Sequence, residues 1–127
     1  MKNTQRTEFG DVRVSDEAIA SIASTAALRA RGVAGMGSGG PVDSLAGLLG
    51  LRSSARGVQV EMGDREVALS LYILVEFGAD IAEVASQVQE SVAEAVERMS
   101  GLSVIEVNVT VQGVGSANAV HWEKRGR

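Results

Sequence analysis

The feature that most constrains this chain is an abrupt change of hydrophobic period between residues 67 and 111. Val67, Leu69, Leu71, Ile73, Val75 and Phe77 recur every second position, which places them on one face of an extended strand. From Ile81 the spacing becomes three and four, through Val84, Ala85, Val88, Val92, Ala95, Val96 and Met99, a single stripe along a helix. Asp80 and Glu83 form a D-x-x-E capping box at its start; Gly101 closes it, with Arg98 in the last turn. Period two then returns: Ile105, Val107, Val109 and Val111 alternate with Glu106, Asn108, Thr110 and Gln112. Two strand faces and a helix stripe that must bury one another commit the chain to layers of helix and sheet.

The upstream half fits the same plan. Val12 and Val14 alternate with Asp11 and Arg13, predicting a short strand over 10–14. Ser15 is placed as a helix N-cap, with Asp16 and Glu17 at the positive end of the dipole and Val14 positioned to staple onto Ile19. That helix is expected to run to Arg31 and stop at Gly32, burying Ile19, Ile22, Ala23, Ala26 and Ala30. The glycine-dense stretch 32–41 reads as a loop with a brief strand over 33–36. Leu45, Leu48 and Leu49 predict a short helix over 42–51, and 53–57 a polar linker. Val58, Val60 and Met62 alternate with Gln59 and Glu61, and Gly63-Asp64 turns the chain into the Val67 strand. The order is β-α-(β)-α-β-β-α-β. It implies an α+β two-layer sandwich whose mixed, mostly antiparallel sheet carries its helices on one face.

A chain of 127 residues fits one domain. We place that domain at 8–114, between a disordered tail over 1–7 and a basic flexible tail over 115–127. Aromatics make up only 3% of the chain, so the core must be aliphatic. With no cysteine, disulfides, thiolate ligands and a Cys nucleophile are all excluded, and the cytoplasm is the expected compartment. The N-terminus has no apolar signal region, and the longest apolar run, Leu71 to Val75, is too short to span a bilayer. Residues 8–112 hold 7 basic and 15 acidic side chains, a balance of −8, whereas the two ends carry +4. An acidic body without interleaved aromatics argues against nucleic acid as a partner.

No motif carries catalysis. Gly35, Gly37 and Gly40 satisfy a formal G-x-G-x-x-G, but the run follows a helix rather than a strand and lacks the later acidic residue, so turns explain it better than a dinucleotide. His121, the sole histidine, sits beside Trp122 without metal-ligand spacing, and no G-x-S-x-G elbow exists. Glu83, Gln87, Glu90, Glu94 and Glu97 fall opposite the apolar stripe of the long helix, a solvated face or an acidic ridge for a basic partner. We expect no catalytic, cofactor-binding or metal-ligating residues. The expected contact residues are instead Tyr72, Leu74 and Glu76, on the non-core face of their strand, with Asn108 and Thr110 on the last strand, which becomes a site of strand addition if it lies at an edge.

In order along the chain, VRVSDEAIASIASTAA and GVAGMG, GVQVEM and VALSLYILVEFG, then IAEVASQVQESV and MSGLSVIEVNVTVQGV together resemble the alkaline shock protein 23 family of mostly Gram-positive bacteria, Gls-type envelope stress proteins included. The resemblance covers residues 10–114. It implies a small, non-enzymatic cytoplasmic protein linked to envelope stress, which we read first as a scaffold or adaptor that self-associates into homo-oligomers or docks on a protein partner. Some members gather at the membrane through a separate membrane-anchored protein partner. Others are similar to proteins encoded near enzymes of fatty-acid metabolism, which keeps open a second reading, a module binding an acyl or lipid-like ligand between helices and sheet.

Overall fold

The computed structural model describes residues 4–38, 54–55 and 57–115. Its elements are β1 (Thr4–Thr7), β2 (Gly10–Arg13), α1 (Asp16–Leu28), β3 (Val33–Met36), β4 (Ser54–Ala55), β5 (Val58–Met62), β6 (Glu66–Val75), α2 (Ile81–Ser100) and β7 (Ser103–Val114). The helix expected over 42–51 and the tail beyond residue 115 lie outside the described residues.

β6 is the spine of a five-stranded sheet. On one side it pairs antiparallel with β5 (Val58↔Leu71 to Met62↔Val67) and, further along, with β3 (Val33↔Val75, Met36↔Ile73). On the other it pairs in parallel with β7, from Glu66↔Ser103 to Val75↔Val114. Parallel neighbours need a long crossover, and α2 supplies it. The segment 53–57, expected to be a linker, contributes the two-residue β4 beside β5 (Ser54↔Gln59, Ala55↔Val58). The α+β class, the mixed sheet and the helical layer on one face are therefore as the sequence implies.

The core lies between that sheet and the two helices. Val67, Leu69, Leu71, Ile73 and Val75 are all buried, and α2 adds Val84, Val88, Val92 and Val96 to the same core at strict intervals of four. Asp80 caps α2 by accepting the Glu83 N–H at 3.3 Å, and Gly101 ends it at φ 79, donating its N–H to the Glu97 carbonyl. Buried Ser100 locks this end: its hydroxyl donates to the Val96 carbonyl at 2.6 Å and accepts the Leu102 N–H at 3.0 Å. Ile81 and Met99, assigned to the stripe from their spacing, are 47% and 65% exposed. They stand at the two ends of the helix, and Met99 lines a groove against α1.

Ser15 caps α1 as expected, accepting the Ala18 N–H at 3.0 Å. The helix ends at Leu28 rather than Arg31, because Arg29, Ala30 and Val33 bond three residues back and tighten the chain into Gly32, at φ 94. Its fully buried residues are Ile19, Ala20, Ala23, Ser24 and Ala27, while Ile22, Ala26 and Ala30 are half-buried. The expected stripe thus includes a seam toward α2, where Ile22 and Ala26 share a groove with Ala95 and Met99. The rest of its buried side is completed by Ala20, Ser24 and Ala27, residues too small or polar to count as apolar letters.

Three further expectations are corrected. Residues 4–7, assigned to a disordered tail, pair with β2 from Thr4↔Arg13 to Thr7↔Gly10. A two-residue connection, Glu8-Phe9, makes this hairpin possible: Thr7 Oγ1 accepts the Phe9 N–H and donates to the Gly10 carbonyl, Gly10 adopts φ 138, and Arg6 pairs with Asp11 at 3.3 Å. β2 therefore belongs to a separate, exposed ribbon and not to the main sheet. Phe77, expected on the core face, is 86% exposed, because β6 stops at Val75 and the chain turns through Gly78 at φ 94. Ile105 is 61% exposed because β7 skips a register step between Val104 and Glu106, a bulge that reverses the alternation. Val104 takes its place against the core.

Candidate protein-docking face

The side of the sheet turned away from the helices is ordered in rows that the strand registers fix. Glu61 of β5, Ala68 of β6 and Glu106 of β7 form the first, with a carboxylate on each flank. Gln59, Ser70 and Asn108 form the second. In the third, Tyr72 stands beside Thr110 on one side, and on the other its N–H donates to the Gly57 carbonyl at 2.8 Å while its carbonyl accepts the Gly37 N–H at 2.6 Å. In the fourth, Leu74 lies between Gly35 and Gly113.

Leu74 has no neighbouring side chain along its row. A Cβ at Gly113 would lie 3.0 Å from one of its methyl carbons, and one at Gly35 would lie 3.9 Å from the other, so the leucine spreads over bare backbone on both sides. On the β5 side of Tyr72 the backbones themselves close up, and the Gln112 side chain lies against Gly37. A Cβ at Gly57, which sits at φ 79, would come within 2.8 Å of the Gly37 carbonyl and 3.0 Å of the Tyr72 carbonyl. Both side chains are half-buried, and Asn108 and Thr110 are exposed. The face thus grades from acidic to amide to aromatic to aliphatic along β6.

Of the expected contact residues, the structure brings Tyr72, Leu74, Asn108 and Thr110 onto this one face. Glu76 falls outside it. β6 has already ended, the Glu76 N–H donates to the Gly32 carbonyl at 2.8 Å, and its side chain lines a separate hollow with Arg31, Phe77, Asp80 and Glu83. The formal G-x-G-x-x-G is split: Gly35 and Gly37 serve β3 and its junction with β6, and Gly40 lies outside the described residues, as does His121. Among the described residues no cluster of His, Asp or Glu has metal-binding geometry, and no helix is long and apolar enough to cross a membrane.

Sequence reasoning missed a set of side chains at the margin of β7. Glu97, counted in the outer ridge of α2, accepts the Val104 N–H at 2.9 Å, and Gln89 donates its amide to the Val107 carbonyl at 2.9 Å. Gln112, displaced by a second register step, reaches instead across β6, where it accepts the Ser38 N–H at 2.9 Å. The positions of Gln89 and Glu97 eight residues apart were a usable signal, since they share one side of a helix; the bulges left none.

The model of the alkaline shock protein 23 family, described by its "cell envelope-related function", matches residues 4–116, nearly the whole described fold. The chain belongs to that family. It is 39% identical over 114 residues to YloU of Bacillus subtilis, covering 89% of this chain and 95% of that protein. YqhY of the same organism is 32% identical, covering 85% and 79%. A "stress response regulator gls24 homolog" of Streptococcus pyogenes is 30% identical over 91% of this chain and 64% of its own length. The alkaline shock resemblance therefore stands, and with it a cell envelope-related stress-response function.

Proposed function

We propose that this alkaline shock family protein is a non-enzymatic cytoplasmic scaffold, which docks a protein partner on the graded face of its sheet and associates with copies of itself. The observation that carries the reading is the placement of Tyr72 and Leu74, side by side on the central strand, opposite the helices, and flanked by glycines. A strand meant only for water would carry polar groups there. An aromatic beside an aliphatic, with a shallow margin around them, is the composition of a contact centre. Glu61 and Glu106 at the other end favour a partner with basic groups about three rows away, roughly 20 Å at ~3.3 Å per residue. A membrane-anchored protein with a basic cytoplasmic segment has that chemistry, and would place this protein at the envelope without a span of its own.

The test uses the double variant Tyr72→Ser, Leu74→Lys, with circular dichroism to establish folding. Tagged wild-type and variant proteins are used to capture partners from the membrane fraction of a Gram-positive bacterium, and bound proteins are quantified by mass spectrometry. The expected result is loss of partners that the wild type retains, with Glu61→Lys, Glu106→Lys weakening the same set. A folded double variant that keeps every partner overturns the reading.

A further inference from the structure

We infer that two copies of this chain join edge to edge through β7, antiparallel about a two-fold axis at Thr110, making one continuous sheet. The inference rests on the self-association part of the reading above and supplies its geometry.

Among the described residues β7 has a strand neighbour only on its β6 side. Val107, Val109 and Val111 turn their side chains to the core. In a strand, residues sharing a face also share the direction of their backbone groups. The Gln89 bond to the Val107 carbonyl shows that direction to be outward, so Val109 and Val111 present N–H and C=O groups along the open edge. Glu97 and Gln89 cover the edge at Val104 and Val107, leaving its second half for strand addition.

These two caps select the register. With Thr110 opposite its own copy, Val109 of each chain faces Val111 of the other and exchanges both backbone bonds, four in all, while the Gln89 contact stays in place. A register centred on Val109 would instead require the Val107 carbonyl that Gln89 already occupies. The chosen alignment sets two threonines face to face, a favourable cross-strand pair, and extends the third row into Tyr72, Thr110, Thr110 and Tyr72.

Charge and bulk favour a second copy as the occupant. The body carries −8, so copies repel over most of their surface, but 107–113 reads VNVTVQG without a charge. Edges that proteins protect from pairing carry lysine, proline or inward charges, and residues 107–113 carry none. On α2, the residues one turn to either side of Gln89 are Ser86 and Ala93, small enough for the two α2 helices to lie alongside each other at the usual 8–10 Å.

The absence of cysteine makes the test direct. Thr110→Cys should give a disulfide-linked dimer under mild oxidation, since facing residues of this kind have Cα atoms about 4.5 Å apart. Glu106→Cys, whose copy would be roughly 26 Å away at ~3.3 Å per residue, should stay uncrosslinked. Thr110→Lys, which opposes two ammonium groups, should shift the mass measured by sedimentation from dimer to monomer while leaving the circular dichroism spectrum unchanged. A wild type that sediments as a monomer, equal crosslinking at both cysteine positions, or a dimer that survives Thr110→Lys overturns the inference. If dimerisation fails while Tyr72→Ser, Leu74→Lys still abolishes partner capture, the edge pairing is wrong and the docking reading stands.

Discussion

Replacing Val92 with alanine tests the layered core at its centre. Val92 is 0% exposed in the buried valine row of α2. Removing two methyl groups forfeits about 1.6 kcal/mol of transfer free energy at ~0.8 kcal/mol per carbon. The space left, about 50 Å³ before relaxation, adds roughly 1 kcal/mol at ~24 cal/mol per Å³. The expected loss is about 2–3 kcal/mol, set against an ordinary domain stability of ~5–15 kcal/mol. With an unfolding entropy near ~2.1 cal/mol/K per residue over 127 residues, this lowers Tm by roughly 8–11 °C. Urea denaturation followed by circular dichroism, at one fixed protein concentration because any dimer makes stability concentration-dependent, gives the loss from the midpoint at constant slope. Glu90→Ala, on the exposed side of the same helix, serves as control and should move stability by no more than ~0.5 kcal/mol. A Val92→Ala midpoint equal to that of the control would show that the valine row does not face the core.

Other substitutions report on separate features. Gly57→Ala should destabilise more than Gly101→Ala in parallel melts: both glycines sit at φ 79, but the new Cβ meets backbone oxygens at 2.8 and 3.0 Å in the first case and only the Gln5 amide at 3.4 Å in the second. Ser100→Ala should cost about 1–3 kcal/mol in the same denaturation assay, since it strips a partner from the Leu102 N–H near a buried turn. Asp11→Asn should leave Tm unchanged within error, because its pair with Arg6 is solvent-exposed. Deleting residues 1–13 should lower Tm by only a few degrees, as β1 and β2 bond to each other rather than to the main sheet.

Where residue type and period agree, the sequence was a faithful guide. The five inward residues of β6, the N-caps of both helices, the Gly101 stop of α2, the brief β3 and the turn at Gly63 follow from local patterns that tertiary packing reinforces. The misreadings arose where a backbone event of one residue decided the outcome. The bulge at Ile105 and the end of β6 before Phe77 each moved a large apolar side chain into solvent, and neither event has a composition of its own. The seam of α1 was only partly legible, because a helix touching both a sheet and a second helix buries an arc that alanine and serine complete. Within the docking face, Tyr72, Leu74, Asn108 and Thr110 could be named from alternation alone. Their grouping depended on the parallel register of β6 and β7, and the exclusion of Glu76 on where β6 ends. Gln89 and Glu97 could not be placed at the margin of β7 without it.

The parallel pairing of β6 with β7 also governs the order in which the protein can be completed during synthesis. β6 leaves the ribosome with β3 and β5 already available, but its other flank waits for a strand that begins at Ser103, after all of α2 has been made. Until then the nascent chain holds an unsatisfied edge on β6 and a valine stripe on α2 with only part of its partner surface, so its most adhesive form is its second-to-last one. Parallel, non-local pairing of this kind closes slowly compared with hairpins. The interval is when neighbouring nascent chains on one message are best placed to pair wrongly, through the β6 edge instead of β7, and when a chaperone has the most to recognise.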